Sequence, residues 1–350
     1  MPRTSVLSAA LTLALSAQAP ADRIHLRFDP SEAEAALAIL ELHGAGRPVP
    51  EAAWSRLFAT EPYVRLKARE AGLKRAFTDE EFKAFLLAPD LAARAPELRR
   101  TLEAWKRSPL AARAVSILPY LPAAATVQAK VFPVIKPKTN SFVFEVTRDP
   151  TVFLYLDPAV SAGEFENTVA HELHHVGFAS LSNRVEERLQ ALPEPARRAA
   201  EWTGAFGEGF AMLAAAGGPD IHPHAASPPA TRARWDRDVA RHNEHLRDVE
   251  RFLLDVVRGR LKTAEEINTV AYTFFGEQGP WYTVGHRMAV LVERHQGRAA
   301  LLACLEDPRR ILAAYNRAAE AEGRKGGERL ARWSDELIQA LGPETTPPAP

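Results

Sequence analysis

Apolar and polar positions follow two different periods along this chain, and the change of period divides it. From residue 31 the helical period dominates. "DPSEAEAALAILELHG" opens with Pro-Ser, carries Ala35, Leu37, Ile39 and Leu42 at helical spacing, and stops at Gly44. "TDEEFKAFLLAP" sets Glu81 three residues after Thr78, the spacing of a capping box, and Pro89 ends the run. "PELRRTLEAWKRSP" predicts a third helix. Residues 22–125 therefore read as a nearly all-helical subdomain or cover, whose two histidines, His25 and His43, stand alone as surface residues. Between about 126 and 157 the pattern changes. "ATVQAKVFPVI", "SFVFEV" and "TVFLYLD" are rich in β-branched and aromatic residues and are separated by the turn-forming "KPKTN" and "TRDP", which predicts three short strands. Alternation is weak in "VFLYL", as in a strand covered on both faces.

Helical signals resume at Ser161 and run to about 340, broken at "PEPARR" and "AAAGGPDIHPHAASPPAT". Residues 231–259 read as one long helix with an apolar seam of Trp235, Val239, His242, Leu246, Val249, Leu253 and Val256. His242 falls inside that seam, as a hydrogen-bonded core histidine, and His245 falls outside it, as an exposed one. Residues 262–297 predict two helices joined by a Gly-Pro turn, the first with a Thr263–Glu266 capping box. No internal repeat is present. The fold class expected is α+β and mainly helical, with a small sheet packed on one helix. The expected organisation is the helical part 22–125, a second part 126–340 and a disordered tail 341–350.

Composition adds limits. Lys+Arg and Asp+Glu both number 44, so the chain lacks the positive field of a nucleic-acid or polybasic membrane binder. "MPR" followed by "VLSAALTLALSA" has the form of a signal peptide over residues 1–21, with cleavage after Ala21 leaving Asp22 first. Export to the periplasm or beyond the cell follows, with no stable membrane insertion after cleavage. An uncleaved anchor is the competing reading. Only one cysteine is present, Cys304, in the apolar helical context "RAALLACLED", so stability comes from a packed core rather than from an internal disulfide.

The chemistry concentrates in "TVAHELHHVGF". His171, Glu172 and His175 form H-E-x-x-H. On a helix, positions i and i+4 share a face about 6 Å apart, and two imidazoles there can converge on one tetrahedral Zn²⁺. Glu172, about 100° further round, is placed for the general-base role. With 11 histidines in 350 residues, the motif arises by chance in roughly 3 such chains per 100. His174 reads as a neighbouring group. The metzincin extension requires a glycine and then a histidine where this chain has Phe178 and Leu181, so the third ligand lies elsewhere. Glu208, in the apolar small-residue stretch "WTGAFGEGFAMLAAAGG", is the leading candidate, because a carboxylate buried there needs a partner. Its small neighbours would let that helix approach the H-E-x-x-H helix. Glu186, Glu187, Glu201, His222 and His224 stay open as competitors. Tyr282 and His286, at i and i+4 in "GPWYTVGHRMA", are candidates for oxyanion stabilisation. "TVFLYLDP" is a candidate edge strand for an extended peptide substrate, and equally a core strand.

H-E-x-x-H followed by Glu in an E-G-x-A setting resembles the gluzincin zinc metallopeptidases. The longer pattern "HELHHVG", "GEGFA", "WYTVGHRMA" is similar to a bacterial family of unknown function described as zinc-dependent peptidases, over roughly residues 140–300. That resemblance implies a zincin-like catalytic domain over residues 126–340 and one Zn²⁺ per chain held by His171, His175 and Glu208, with Glu172 as base and a peptide or protein as substrate. It says nothing of oligomeric state. Two further readings stand beside it: a zinc hydrolase of a non-protein amide, and a non-catalytic exported binding protein with a structural zinc.

Overall fold

The computed structural model describes residues 20–342; the expected signal peptide, except its last two residues, and the tail from 343 lie outside the described residues. The chain is mainly helical around one four-stranded sheet. Strand β1 (Ile24–Phe28) leads into helices α1 (Ser31–Gly44), α2 (Glu51–Phe58), α3 (Glu61–Gly72), α4 (Asp79–Leu86), α5 (Pro89–Ala93), α6 (Ala95–Lys106) and α7 (Leu110–Ile117). Strands β2 (Val127–Val134), β3 (Phe142–Phe144) and β4 (Thr151–Tyr155) follow. Helices α8 (Ala162–Ala179), α9 (Ser182–Leu189), α10 (Glu194–Thr203) and α11 (Gly207–Ala216) carry most of the candidate chemistry. Helices α12 (Pro229–Ala240), α13 (His242–Val257), α14 (Ala264–Thr273), α15 (Pro280–Gln296), α16 (Arg298–Glu306), α17 (Ile311–Arg324) and α18 (Asp335–Leu341) complete the chain.

The sheet order is β1-β2-β4-β3, with β1, β2 and β4 parallel and β3 antiparallel to β4. This corrects two expectations. Ile24–Phe28 is a strand, its residues alternating half-buried and exposed, and it pairs with β2 across the boundary expected at 125. Parallel neighbours need a crossover, and α1–α7 are that crossover. The crossover helices share the main apolar core with the strands and with α8. The second correction concerns "TVFLYL": of its two readings the structure selects the core strand, since β4 lies between β2 and β3 and is not an edge of the sheet. Both faces of the sheet are covered. Val131 and Val152 face the main core with Val169, Leu173 and Val176 of α8, while Phe132, Val134 and Phe153 pack with Leu66 of α3 on the other side. That double burial accounts for the near-continuous apolar strand.

Two further differences lie in the C-terminal half. The run read as one helix breaks at Arg241 into α12 and α13. Its seam changes partner there: Trp235 meets His224 and His286, whereas His242 meets Tyr315. His245, expected to be exposed, is buried. No helix among the described residues is long and apolar enough to cross a membrane.

Candidate metal centre

Helix α8 starts where its sequence says it should. Ser161 accepts from the Glu164 N–H at 3.2 Å, and Glu164 accepts from the Ser161 N–H at 3.1 Å, so both orphan donors are satisfied. Val169, Leu173 and Val176 bury one side of the helix. The opposite side is thereby turned to α11, and it carries His171 and His175. His171 Nε2 and His175 Nε2 each lie 3.1 Å from Glu208 Oε2, and 3.0 Å from one another. Among the described residues this is the one group of three potential ligands whose donor atoms converge.

Hydrogen bonds alone cannot satisfy this triangle. Protonating both Nε2 atoms serves the carboxylate but sets two N–H groups against each other at 3.0 Å. Removing either proton leaves one imidazole–carboxylate edge with lone pairs facing. A cation accepts all three lone pairs at once, and tetrahedral zinc with bonds of about 2.0–2.1 Å spaces its ligand atoms by about 3.3 Å. The donor set and its spacing thus fit zinc. The His171, His175 and Glu208 side chains remain 12%, 23% and 20% exposed, so the centre is reachable from solvent.

Electrostatics follow from the same contacts. Burial would raise the Glu208 carboxyl, but His175 and His171 outweigh it and hold it far below the usual carboxylate range. Burial would lower His175, and the charges of Glu208 and Glu172 overcome that and raise it. His174 points to the other side of α8, where its Nε2 lies 3.2 Å from the Tyr120 carbonyl; burial, then the charge of His175, pushes its pKa down to about 3. It is a neutral structural neighbour.

Tyr282 reaches the centre through a close helix crossing. Its ring stacks on His171 with centroids 6.2 Å apart and planes 14° from parallel. A Cβ on Gly209 would lie 1.9 Å from the His286 backbone nitrogen, and one on Gly285 2.6 Å from the Phe206 carbonyl oxygen. These two glycines bring α11 and α15 into backbone contact beside Glu208. The glycine next to Glu208 thus serves the approach of α15. Burial, then the Glu208 and Glu172 carboxylates, push the Tyr282 phenol well above its ordinary pKa, so it stays protonated. Glu172, half-buried, is near enough for its charge to act on both His175 and Tyr282.

The structure does not bring His286 to this group. Its ring packs edge-on to Trp235 at 5.3 Å, and the charges that act on it are those of His222, His224, Arg287 and Arg294. The competing ligands are placed elsewhere too. His222 Nε2 lies 3.0 Å from Asp236, His224 Nδ1 lies 3.1 Å from the Ser227 hydroxyl, and Glu186, Glu187 and Glu201 stand on the exposed sides of α9 and α10. Sequence reasoning missed the paired roles of Gly209 and Gly285. Their signal was a glycine in each of the two motifs "GEGFA" and "YTVGH", at Gly209 and Gly285.

Comparison with known proteins adds one match. The family model described as "Putative zinc dependent peptidase (DUF5700)" covers residues 54–323. No curated protein and no solved structure matches the chain.

Proposed function

The chain belongs to this DUF5700 family, and on that premise we propose that it hydrolyses peptide bonds with His171, His175 and Glu208 holding one zinc ion and Glu172 as general base. The observation that carries the reading is the triangle of donor atoms at 3.0–3.1 Å with Glu172 and Tyr282 beside it. Zinc in such a site supplies a Lewis acid for the scissile carbonyl and brings the pKa of water down to about 7. Glu172 removes a proton from the attacking water and passes it to the departing amine nitrogen as the C–N bond breaks. The Tyr282 phenol, kept protonated, donates a hydrogen bond to the carbonyl oxygen as that oxygen becomes negative. A purely structural metal site has no use for a carboxylate such as Glu172 next to a solvent-reachable face, which favours catalysis over a structural role.

The test is hydrolysis of a mixed peptide library by the zinc-loaded chain. Glu172→Gln is expected to retain zinc and lose about 10²–10⁴-fold in kcat, and Tyr282→Phe to lose tenfold or more with KM little changed. Undiminished hydrolysis by zinc-loaded Glu172→Gln would remove the general-base assignment. Absence of any peptide cleavage by the intact loaded chain would remove the peptidase reading.

A further inference from the structure

A cavity of about 610 Å³ opens between the C-terminal end of α8 and helices α9 and α10. That volume lies within the range of small-ligand sites. Its place in the fold links it to the metal centre. Phe178 and Ala179 line it, three and four residues beyond His175 on the same face of α8, which is about 5–6 Å of helix rise. Gly204, four residues before Glu208, lines it as well. The cavity thus begins one helical turn beyond His175 along α8.

Its lining has two characters. Phe178, Val185, Leu189 and Ala200 supply apolar walls, and Glu186 and Glu201 supply carboxylates. One cation opposes them: Arg197 Nε lies 3.9 Å from Glu201, a loose pair on an exposed helix face. Glu186 has no ion-pair partner among the described residues. The net charge is thus one negative, over walls that suit a long aliphatic stem. Lysine and arginine have that form, a hydrocarbon stem ending in a cation.

We propose that this cavity is a specificity subsite which takes a lysine or arginine side chain flanking the scissile bond. The proposal rests on the peptidase reading of the metal centre, so its test is a binding measurement. Fluorescein-labelled Ala-Ala-Xaa-Ala-Ala peptides, with Lys, norleucine or Glu at Xaa, are titrated by anisotropy into the zinc-loaded full chain carrying Glu172→Gln, which prevents turnover. The Lys peptide is expected to bind about fivefold more tightly than the norleucine peptide, with the Glu peptide weakest. Glu186→Gln combined with Glu201→Gln, both on exposed helix faces, should erase the Lys preference and leave the norleucine affinity and the zinc content unchanged. Equal affinities for all three peptides, no binding of any, or a preference for the Glu peptide through Arg197, would each overturn the subsite. A retained Lys preference in a chain whose intact form cleaves nothing would uphold the cavity as a lysine-binding site and reject the peptidase reading instead.

Discussion

His171 and His175 on α8, and His224 and His286 around Trp235, are the same side chain placed a short distance apart in one fold, yet only the first pair meets a carboxylate. Glu208 lies 3.1 Å from both members of the first pair, and their Nε2 atoms face a common point. In the second pair both imidazoles pack on the Trp235 ring, at 5.1 and 5.3 Å, and each has a buried Nε2 without a partner. Burial pushes His224 down to about 4 and His286 to about 3, so both are neutral. The difference teaches that histidine content does not make a metal site. Convergence does, and convergence here depends on how closely α11 can approach its neighbours.

The largest break in that comparison comes from the helix crossing. Gly209→Val places branched carbon where the α15 backbone already stands. Overpacking of this kind costs about 1–3 kcal/mol or more. The expected result is a clearly lowered unfolding midpoint together with loss of zinc, checked by calorimetry and metal analysis of one preparation. A variant that keeps both would show that the crossing does not hold Glu208 in place.

The next prediction uses pH. His242, 1% exposed and bonded to Tyr315 at 2.8 Å, is pushed down to about 3 by burial first, then by Arg287 and His245; His224 is pushed down by burial first and His222 second. A depressed folded-state pKa gives stability that is present above the unfolded value of about 6.5 and is lost as pH falls toward 3–4. Each of these two contributes on the order of 2 kcal/mol of loss at pH 5. Glu32 acts with the opposite sign. Complete burial raises it to about 8, against the Ile135 N–H that it accepts at 2.9 Å and the charge of Lys136. Its contribution is present below the unfolded value of about 4.5 and is lost as pH rises through 8. The two windows overlap between about 4.5 and 6.5, so urea unfolding should show a stability maximum where they balance, near pH 6.5. Glu32→Gln should flatten the fall between about pH 6.5 and 8 and steepen the fall below about 6.5; an unchanged fall above about pH 6.5 would contradict the assignment.

The smallest effect sharpens the comparison most. His286→Leu should leave zinc content and kcat within about twofold of the intact chain, since His286 is outside the ligand triangle. A kcat loss of tenfold or more with folding intact would return it to the catalytic group.

Much of this was legible in the sequence where local periodicity and chemistry agree. The H-E-x-x-H face, the capping boxes at Thr78 and Thr263, and the three strands after residue 126 follow from spacing alone. Glu208 was legible because a carboxylate amid apolar small residues needs a reason. What escaped depends on contacts distant in sequence. "IHLRF" does alternate, but its partner is about a hundred residues away, and it stands between an export-like segment and a helix. The i, i+4 spacing of Tyr282 and His286 gave them a shared helix face, but residues on one broad face can still meet different neighbours: Tyr282 faces His171, and His286 faces Trp235. The edge role offered to "TVFLYL" failed because strand order is set by which strands bury which faces, and a single strand's pattern does not carry it.

The most direct measurement is metal content by mass spectrometry, on the intact chain and on His175→Ala, Glu208→Gln and His224→Ala, each reconstituted with zinc and desalted. One zinc per chain in the intact protein and in His224→Ala, with loss or marked weakening in the other two, is the result this account predicts. Zinc retained by Glu208→Gln but lost by His224→Ala would place the metal in the wrong histidine cluster, and no zinc in the intact chain would contradict the metal centre altogether.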